Sequence, residues 1–505
     1  MPQPNSKLSI KAQRQAIFCE LMAYLTPQDQ ESVRLLATKL VNMFEHGRDI
    51  GRRRVMVAYG GGKDSTYTVG FIRTVQLYVE NMLGRTFILR IATMRQSGMP
   101  YSVMENIERV YLRLGLIDDI TAELIVIDHD QVSQFTRDLP VPQHLHTINR
   151  LNMLMNGHRT AGDGRPTFCN SCNLSVASFY GISAWWRGGV DVVVTGDSLK
   201  EQKHYFTWIM RLAQNAGMNI EEYRALGFHG LLKVLDGVSQ AYYRELFGAD
   251  LDAEVSLRRV HSGFADMIPT FISIYEHVSY RVNDHWNFVT DFLGFQFDEL
   301  AFSFTESDCA NPALMAHLRG LKAQYVQGRS YRIGIEEYLE LAKSLMVKKE
   351  MPENLIRMAI SRYDNEIKIC TMRHKINIFA EQAYGVSEQQ FVCLVFSPFV
   401  GRGQSLPYFL QVYHPEYVTQ EANIHSLLAD DKQVPNNLLQ LQTWLENISG
   451  MSLREIRALY RNSLVDFESN DSLIARVRVG DPHKKRIKTV DPRSGEEITE
   501  LISGR

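Results

Sequence analysis

Short apolar runs alternate with segments of helical periodicity in the first half of the chain. The runs are nearly continuous in hydrophobic and β-branched residues, and they cover residues 55–59, 87–94, 123–128 and 190–197. Between them, apolar side chains recur at the period of a helix with one buried face. These helical segments cover residues 65–82, 101–116 and 173–187. Strands without polar alternation are typical of a parallel sheet covered on both faces, so the pattern predicts a doubly wound α/β sheet.

Helical patterns also flank this α/β pattern on both sides. Amphipathic segments within residues 7–47 predict an N-terminal helical segment, and the chain after residue 205 is mostly helical. The apolar run at 391–400 predicts a buried strand, and alternation around a DPRSG turn predicts a β-ribbon in the tail. We therefore expect an N-terminal helical segment at 1–50, an α/β domain at 51–250 and a mainly helical region at 251–505.

Composition excludes several classes of protein. Of the 505 residues, 45% are hydrophobic and 22% are charged, so the chain as a whole is not disordered, collagen-like or coiled-coil. The 55 basic and 57 acidic residues give a net charge of −2, which argues against a general polyanion binder. A polar start and the lack of an 18-residue apolar run predict neither a signal peptide nor a membrane span. Six irregularly spaced cysteines fit a reducing cytoplasm.

A glycine-rich turn joins the first predicted strand to the first predicted helix, with the sequence YGGGKDST at residues 59–66. Glycines allow a tight turn whose N–H groups approach a bound anion, and the helix behind it adds the positive end of its dipole. The lysine adds a cation, and the serine and threonine add hydroxyl donors. The candidate phosphate-binding residues are Gly60, Gly61, Gly62, Lys63, Ser65 and Thr66.

The turn differs from the two better-known phosphate loops. A Walker A loop needs Ser or Thr after Gly-Lys, where Asp64 stands, and a dinucleotide fingerprint needs a third glycine that is missing. A carboxylate would repel phosphate unless a metal lies between them, so Asp64 predicts a Mg²⁺ that bridges polyphosphate oxygens. The alternative is an ordinary glycine turn with an Asp-Ser helix cap.

The segment GGGKDS at 60–65 resembles the SGGxDS signature of the PP-loop ATP pyrophosphatase family. That signature follows the first strand of an adenine-nucleotide α-hydrolase-like (HUP-like) fold, and the resemblance covers about residues 55–215. Gly60 stands in place of the family's serine and lacks its hydroxyl. The resemblance implies ATP cleavage between the α and β phosphates, an adenylated substrate oxygen, and displacement of AMP by nitrogen or sulfur. It also implies that the pyrophosphate part of ATP contacts Gly61, Gly62 and Ser65, and that the adenine ring lies near residues 91–94.

A second glycine turn, Thr195-Gly196-Asp197, ends the fourth predicted strand. Ligands of parallel sheets bind at the carboxyl ends of strands, so Thr195 and Gly196 are candidates for contact with the nucleotide. Many members of the family have a histidine where this chain has Asp197. We interpret Asp197 as a candidate second Mg²⁺ ligand, with Lys200 or Lys203 reaching phosphate. The alternative is a strand-to-helix turn that Asp197 only caps.

Cys169 and Cys172 form the one C-x-x-C of the sequence, ahead of the helical pattern that starts at residue 173. A helix N-terminus there would favour the thiolate forms. The pair could belong to a zinc site, hold an iron–sulfur cluster, pass sulfur as a persulfide, or cycle through a disulfide. The alternative is that the two cysteines are buried thiols with no catalytic or metal-binding role. Candidate partners are Cys309, His144, His146, His158 and His204.

Three functions are compatible with these residues. The first is an ATP-dependent ligase of amidotransferase or sulfurtransferase type. It would form AMP and pyrophosphate, adenylate a carbonyl or carboxyl oxygen of a small-molecule or carrier-bound substrate, and install nitrogen or sulfur from a separate donor. The second is tRNA thiolation, which the near-neutral charge disfavours although the basic run at 483–488 could contact tRNA. The third is a nucleotide-sensing protein without turnover. We favour the first, with residues 251–505 forming a substrate pocket or a homodimer surface.

Overall fold

The structure is a computed structural model of an α/β protein. The residues that it describes are 10–44, 49–196, 199–219, 221, 227–258, 269–276, 278, 282–300, 308–348, 351–479, 484–491, 494 and 496–503. At its centre lies a six-stranded, mostly parallel sheet with helices on both faces, as the alternation of apolar runs and helical segments predicts.

The central sheet has the strand order β4-β3-β2-β1-β5-β6. Its strands are β1 (Arg54–Ala58), β2 (Ile88–Met94), β3 (Ala122–Asp128), β4 (Gln131–Gln134), β5 (Val192–Thr195) and β6 (Thr270–Ser273). All neighbours pair in parallel except β3 and β4, which form an antiparallel edge. Val57 of β1 pairs with Ile91 of β2 on one side and with Val194 of β5 on the other. The strand order therefore reverses between β1 and β5, which makes this position the topological switch point.

Helices cover the two faces of the sheet. One face carries α1 (Ile10–Tyr24), α2 (Pro27–Met43), α3 (Lys63–Leu83) and α4 (Tyr101–Arg113). Residues 66–77 of α3 are all buried, because this helix lies between the sheet and the two N-terminal helices that the sequence predicts. The other face carries α6 (Gly164–Trp185), whose Phe179 shares a hydrophobic cluster with Met56 and Ala92.

The rest of the described chain is mainly helical and shares one large hydrophobic cluster with α6. Its helices are α5 (Gln143–Arg159), α7 (Leu199–Asn215), α8 (Gly227–Phe247), α9 (Asp252–Leu257), α10 (Val282–Asn287), α11 (Asn311–Leu321), α12 (Tyr331–Lys348), α13 (Glu353–Ile360), α14 (Glu366–Tyr384), α15 (Glu388–Phe396), α16 (Leu406–Tyr413), α17 (Glu421–Ala429), α18 (Leu439–Ser449), α19 (Leu453–Arg461) and α20 (Leu473–Val479). The cluster includes residues on both sides of position 250. The domain boundaries near residues 50 and 250 stay a prediction. None of the described helices has the length and apolar character needed to cross a membrane.

Residues 391–400, predicted as a buried strand, instead belong mostly to helix α15. Ser387 begins this helix with a capping box that includes the side chain of Gln390. Residues 391–396 are all buried. A helix buried all round is as continuously apolar as a buried strand, so the hydrophobic pattern does not separate the two.

The tail forms a β-ribbon of β7 (Lys484–Val490) and β8 (Glu497–Ser503), which pair in antiparallel orientation as predicted. The alternating pattern that predicts the ribbon starts at residue 472, but Leu473–Val479 form helix α20 instead of strand. The carboxylate of Glu500 anchors the ribbon through ion pairs with Arg319 at 2.6 Å and Lys322 at 2.8 Å. Burial by itself would raise the pKa of Glu500, but the charges of Lys322 and Arg319 outweigh burial and lower it to about 2.

Candidate functional site

The glycine turn lies where the sequence predicts it, between the end of β1 at Ala58 and the start of α3 at Lys63. Gly61 has a φ of +79°, and a β-carbon there would lie 2.5 Å from Cγ1 of Val103. Both the backbone conformation and the available space therefore require glycine at this position. Gly62 is the N-cap of α3 and has no side chain to cap the first turn, so the positive end of the helix dipole points at the glycine turn.

The structure does not show the alternative of an Asp-Ser helix cap. Asp64 and Ser65 lie inside the first turn of α3, and the Ser65 hydroxyl donates to the Gly62 carbonyl at 3.1 Å. Thr66 is fully buried, and its hydroxyl lies 3.1 Å from that of Tyr59. Of the two hydroxyl residues, Ser65 therefore lies at the glycine turn, and Thr66 supports the turn from within the core.

The two charged residues of the turn pair with each other. Nζ of Lys63 forms an ion pair with Oδ1 of Asp64. The Lys63 side chain is 8% exposed, whereas that of Asp64 is 52% exposed. The carboxylate therefore lies at the open side of the turn, where a cation can reach it, and the ammonium lies deeper. A polyphosphate would meet both charges together, which is the situation that a bridging Mg²⁺ resolves.

The end of β5 lies next to the glycine turn because β5 pairs with β1. Thr195 is the buried last residue of β5, and Gly196 follows it. A β-carbon on Gly196 would lie 2.9 Å from Oγ1 of Thr68, so this strand end contacts the second turn of α3. Both predicted glycine turns therefore flank the switch point of the sheet. Asp197 and the side chain of Lys200 lie outside the described residues.

The C-x-x-C pair lies inside α6 rather than ahead of a helix. This helix begins at Gly164, after its N-cap Asp163, which places Cys169 in the second turn and Cys172 in the third. The expected position at a helix N-terminus is therefore wrong. Within the described part of the chain neither cysteine forms a disulfide, and Cys169 is buried whereas Cys172 is partly exposed.

Hydrogen bonds distinguish these two thiols. The side-chain amide of Asn311 donates to Sγ of Cys169 at 3.6 Å and to the Phe168 carbonyl at 3.2 Å. The Cys172 thiol instead donates to Oε1 of Gln96 at 3.1 Å, in the loop that follows β2. The pair thus links α6 to the carboxyl end of β2 on one side and to the first residue of α11 on the other.

Cys309 joins the pair near the buried ring of Tyr384. Burial raises the pKa of the Tyr384 hydroxyl, and the nearby Cys172, Cys169 and Cys309 raise it further. Within the part of the chain that the structure describes, no group of three or more His, Cys, Asp or Glu side chains is placed to hold a metal ion. The structure therefore brings the three predicted cysteines near one residue, and a zinc site or iron–sulfur cluster stays a prediction.

The candidate histidines have the surroundings of structural or surface residues. His158 is fully buried in α5 beside Phe399, and neither ring nitrogen has a hydrogen-bond partner among the described residues. Burial lowers the pKa of His158 to about 3, so this ring is neutral in the folded chain. On the same helix, His144 is exposed and His146 is partly exposed, while the His204 side chain lies outside the described residues.

Two sets of residues that the sequence did not reveal lie beside the turn. The Oδ2 atom of Asp308 lies 2.7 Å from the position that a β-carbon of Gly60 would take. A small cleft adjoins Lys63 and Asp64, and its other lining residues are Tyr67, Tyr275, His285, Trp286 and Val289. The rings of His285 and Tyr67 stack in this wall, with centroids 3.8 Å apart. In the sequence, the one feature that could have drawn attention to Asp308 was its position directly before Cys309.

No family model, no curated protein and no solved structure matches this chain. The function is therefore argued from the geometry of the described residues. At the carboxyl edge of the sheet, the glycine turn follows β1, Gly196 follows β5, and Gln96 follows β2 and accepts a hydrogen bond from Cys172. This edge thus combines a glycine turn that faces the positive end of α3 with the thiol of Cys172.

Proposed function

We propose that this chain is an ATP-dependent enzyme that forms AMP and pyrophosphate, with the PP-loop and HUP-like fold that its signature resembles. The observation that carries the proposal is the glycine turn, which requires glycine at position 61 and receives the positive end of α3. The turn follows the central strand β1, next to the reversal of strand order between β1 and β5. Open α/β sheets bind their ligands at this place.

The residues of the turn are suited to hold a triphosphate for cleavage between its α and β phosphates. The N–H groups of Gly61, Gly62 and the start of α3 would bind the pyrophosphate part. Lys63 would balance phosphate charge once its pair with Asp64 is shared with the ligand. Ser65, whose hydroxyl already lies at the turn, would donate to a phosphate oxygen.

Asp64 fits a Mg²⁺ site. Its carboxylate is half exposed at the open side of the turn, and proteins hold nucleotide-bound Mg²⁺ with one or two carboxylates together with phosphate oxygens. When bound, Mg²⁺ would neutralise charge on the leaving pyrophosphate. The role of Asp197 as a further ligand stays a prediction, since this residue lies outside the described part of the chain.

The proposed reaction has two displacement steps. A carbonyl or carboxyl oxygen of the substrate first attacks the α-phosphorus, and pyrophosphate leaves. A nitrogen or sulfur nucleophile then attacks the activated carbon, and AMP leaves. Positioning and charge neutralisation carry the first step, so it needs little from side chains beyond the turn.

The cysteines favour sulfur as the installed atom. Cys172 contacts the loop after β2, and Cys309 directly follows Asp308, which approaches Gly60 of the turn. Thiols at this edge of the sheet suit a sulfurtransferase that receives sulfur from a separate donor. Nitrogen installation by an amidotransferase remains the second form of the same reaction, and the near-neutral charge favours a small-molecule or carrier-bound substrate.

A tRNA-thiolating enzyme is the second candidate, because the same thiols would serve it and basic side chains are exposed on β7. Arg486 is exposed there, and Lys488 is 79% exposed beside its partner Glu497. Exposed cations of this kind can contact a phosphate backbone. The pool of substrates that supports formation of AMP and pyrophosphate in the experiment below separates the two candidates.

Product analysis tests the proposed function. Purified protein is incubated with Mg²⁺, a sulfur or ammonia donor, and ATP labelled separately at the α and γ phosphates, with pools of carbonyl and carboxyl compounds or with tRNA. We expect AMP and pyrophosphate in equal amounts in one of the pools. ADP and inorganic phosphate as the products would contradict the proposal. ATP binding without cleavage in every pool would assign a nucleotide sensor instead.

A further inference from the structure

Asp308 closes one side of the first glycine of the turn. A β-carbon on Gly60 would lie 2.7 Å from Oδ2 and 3.7 Å from the carboxyl carbon of Asp308. The shorter distance is well inside van der Waals contact, so with a side chain at position 60 the carboxylate of Asp308 would have to move from this place. The PP-loop signature has serine at this position. Glycine at position 60 is therefore what allows the carboxylate to approach the turn.

The segment that carries Asp308 is anchored to the α/β unit by its own contacts. The N–H of Ala310 donates to the Gly98 carbonyl at 2.7 Å. Asn311 is buried, donates to the Phe168 carbonyl at 3.2 Å, and packs so closely on Gly98 that a β-carbon there would lie 2.1 Å from its Oδ1. From this point α11 continues with every residue buried. The backbone that carries Asp308 is therefore held in place from its C-terminal side, by Ala310 and Asn311.

The carboxylate of Asp308 changes the charge of the turn. It adds a second carboxylate beside the turn, in addition to that of Asp64 in the Lys63–Asp64 pair. Negative charge at this place opposes the binding of a triphosphate to the N–H groups of the turn. A divalent cation bound at the carboxylates would attract phosphate instead. Carboxylate and phosphate oxygens are the ligands that Mg²⁺ prefers.

We propose that Asp308 is a second carboxylate of the Mg²⁺–nucleotide site, in addition to Asp64. This inference rests on the proposed function and adds a residue that the turn's own sequence does not contain. Gly60 lacks the serine hydroxyl of the PP-loop signature. The carboxylate of Asp308 takes the place of that hydroxyl as the polar group at this side of the turn. It also makes the nucleotide site incomplete without the region 251–505, which supplies Asp308.

Nucleotide affinity with and without metal tests this inference. The probe is α,β-methylene-ATP, which cannot be cleaved between its α and β phosphates, titrated into the full chain by calorimetry with Mg²⁺ or with EDTA. For Asp308→Asn we expect at least about tenfold weaker binding with Mg²⁺, because even residues that only orient metal ligands are worth about 10–100-fold in affinity. In EDTA we expect equal or tighter binding, because the variant lacks one negative charge.

Asp252→Asn is the matched control, since Asp252 is an exposed aspartate in the first turn of α9. Its affinities should equal those of the unmodified chain in both conditions. Unchanged binding of Asp308→Asn with Mg²⁺ would overturn the inference. Tighter binding in both conditions would also overturn it, by showing that the carboxylate competes with phosphate. If the unmodified chain binds no probe in either condition, the proposed function fails and this inference fails with it.

A pair of steric variants tests the approach of Asp308 to the turn. Gly60→Ser should weaken binding of the probe with Mg²⁺ several-fold, because the new side chain collides with Asp308. Gly60→Ser combined with Asp308→Ala should bind more tightly than Gly60→Ser alone, because the collision is gone and a hydroxyl is available. Equal affinity of the single and the double variant would contradict the contact. Thermal melting shows that each variant is folded.

Discussion

The glycines of the turn between β1 and α3 matter through the side chains that they lack. Gly61 needs a positive φ, and Val103 fills the space that a β-carbon would take. Gly60 has ordinary backbone requirements, and its missing side chain makes room for Asp308. The two positions therefore tolerate substitution differently, since one is constrained by its backbone and the other by a charged neighbour.

Gly61→Ala should destabilise the chain and remove nucleotide binding. Alanine at a φ of +79° costs about 1–2 kcal/mol, and its β-carbon would also displace Val103. The matched control is Gly328→Ala, because Gly328 has a φ of +64° but nothing within 4 Å of its β-carbon position. The control should lose about 1 kcal/mol of unfolding free energy in urea and keep its affinity for α,β-methylene-ATP. Equal loss of affinity in both variants would contradict the role of Gly61.

The thiols should matter for the second displacement step and not for the first. Cys172→Ser and Cys169→Ser should keep the exchange of labelled pyrophosphate into ATP and lose at least about tenfold in formation of the final product. The reason is that, in the proposed reaction, the turn carries adenylation and the thiols carry the transfer of sulfur. Cys370→Ser, at an exposed position on α14, should change neither rate. Loss of pyrophosphate exchange in the Cys172 variant would assign these thiols a structural role.

The residues of the site are predictable only where they are close in sequence. Clustered glycines, Lys63 and Asp64 identify the turn from the order of residues alone. Asp308 cannot be found in this way, because its approach to Gly60 depends on how the chain packs between these positions. The same holds for Gln96 and Asn311, since isolated polar residues carry no signal until packing gives them neighbours.

Elements of secondary structure were predicted well where their hydrophobic pattern was distinctive. The four apolar runs became β1, β2, β3 and β5 with small changes at their ends. The edge strand β4 was missed because its residues are largely polar, and β6 because its sequence TFIS forms no distinctive apolar run like the valines of β5. The start of α6 was missed because its Gly and Pro resemble a loop, although Asp163 is an N-cap and proline is tolerated in a first turn.

Docking of the β-ribbon should depend on pH through Glu500. Burial would raise the pKa of this carboxyl, but Lys322 and Arg319 lower it to about 2, against about 4.3 in an unfolded chain. The carboxylate therefore stabilises the fold fully above about pH 5, by roughly 3 kcal/mol, and this contribution is lost as pH falls towards 2. Urea unfolding between pH 3 and pH 7 should show this loss in the unmodified chain.

Glu500→Gln should lower the unfolding free energy at neutral pH and flatten its decline below about pH 5. Glu497→Gln is the control, because Glu497 forms an exposed pair with Lys488. It should behave like the unmodified chain at every pH. An unchanged pH profile in the Glu500 variant would contradict the anchoring role.

At the scale of the whole molecule, the α/β unit and the helical region share their cores and the candidate site. The cluster under the α1–α4 face of the sheet includes residues after 270, and the largest cluster joins α5 and α6 to helices after 308. Asp308 and the cleft residues Tyr275 and Trp286 bring the same region to the turn. Sequence pattern predicted the fold class because local periodicity determines it. It did not predict this shared packing, which is set by contacts between distant segments.

The molecule should lose stability in mild acid because of His158. Burial lowers the pKa of this residue to about 3, whereas histidine in an unfolded chain titrates near 6.5. The unfolded state therefore binds a proton first, and the unfolding free energy falls as pH drops from about 6.5 towards 3, by up to about 5 kcal/mol. His158→Leu should reduce this slope in melting experiments, while His144→Leu, at an exposed position on the same helix, should keep it. Equal slopes in all three proteins would contradict a buried neutral histidine.

The most direct measurement is a crystal structure of the full chain grown with α,β-methylene-ATP and Mg²⁺. We expect the β and γ phosphates on the N–H groups of Gly61, Gly62 and the start of α3, with the α-phosphate exposed to the open side of the turn. Density for the nucleotide at another part of the molecule, with the glycine turn unchanged, would contradict the account.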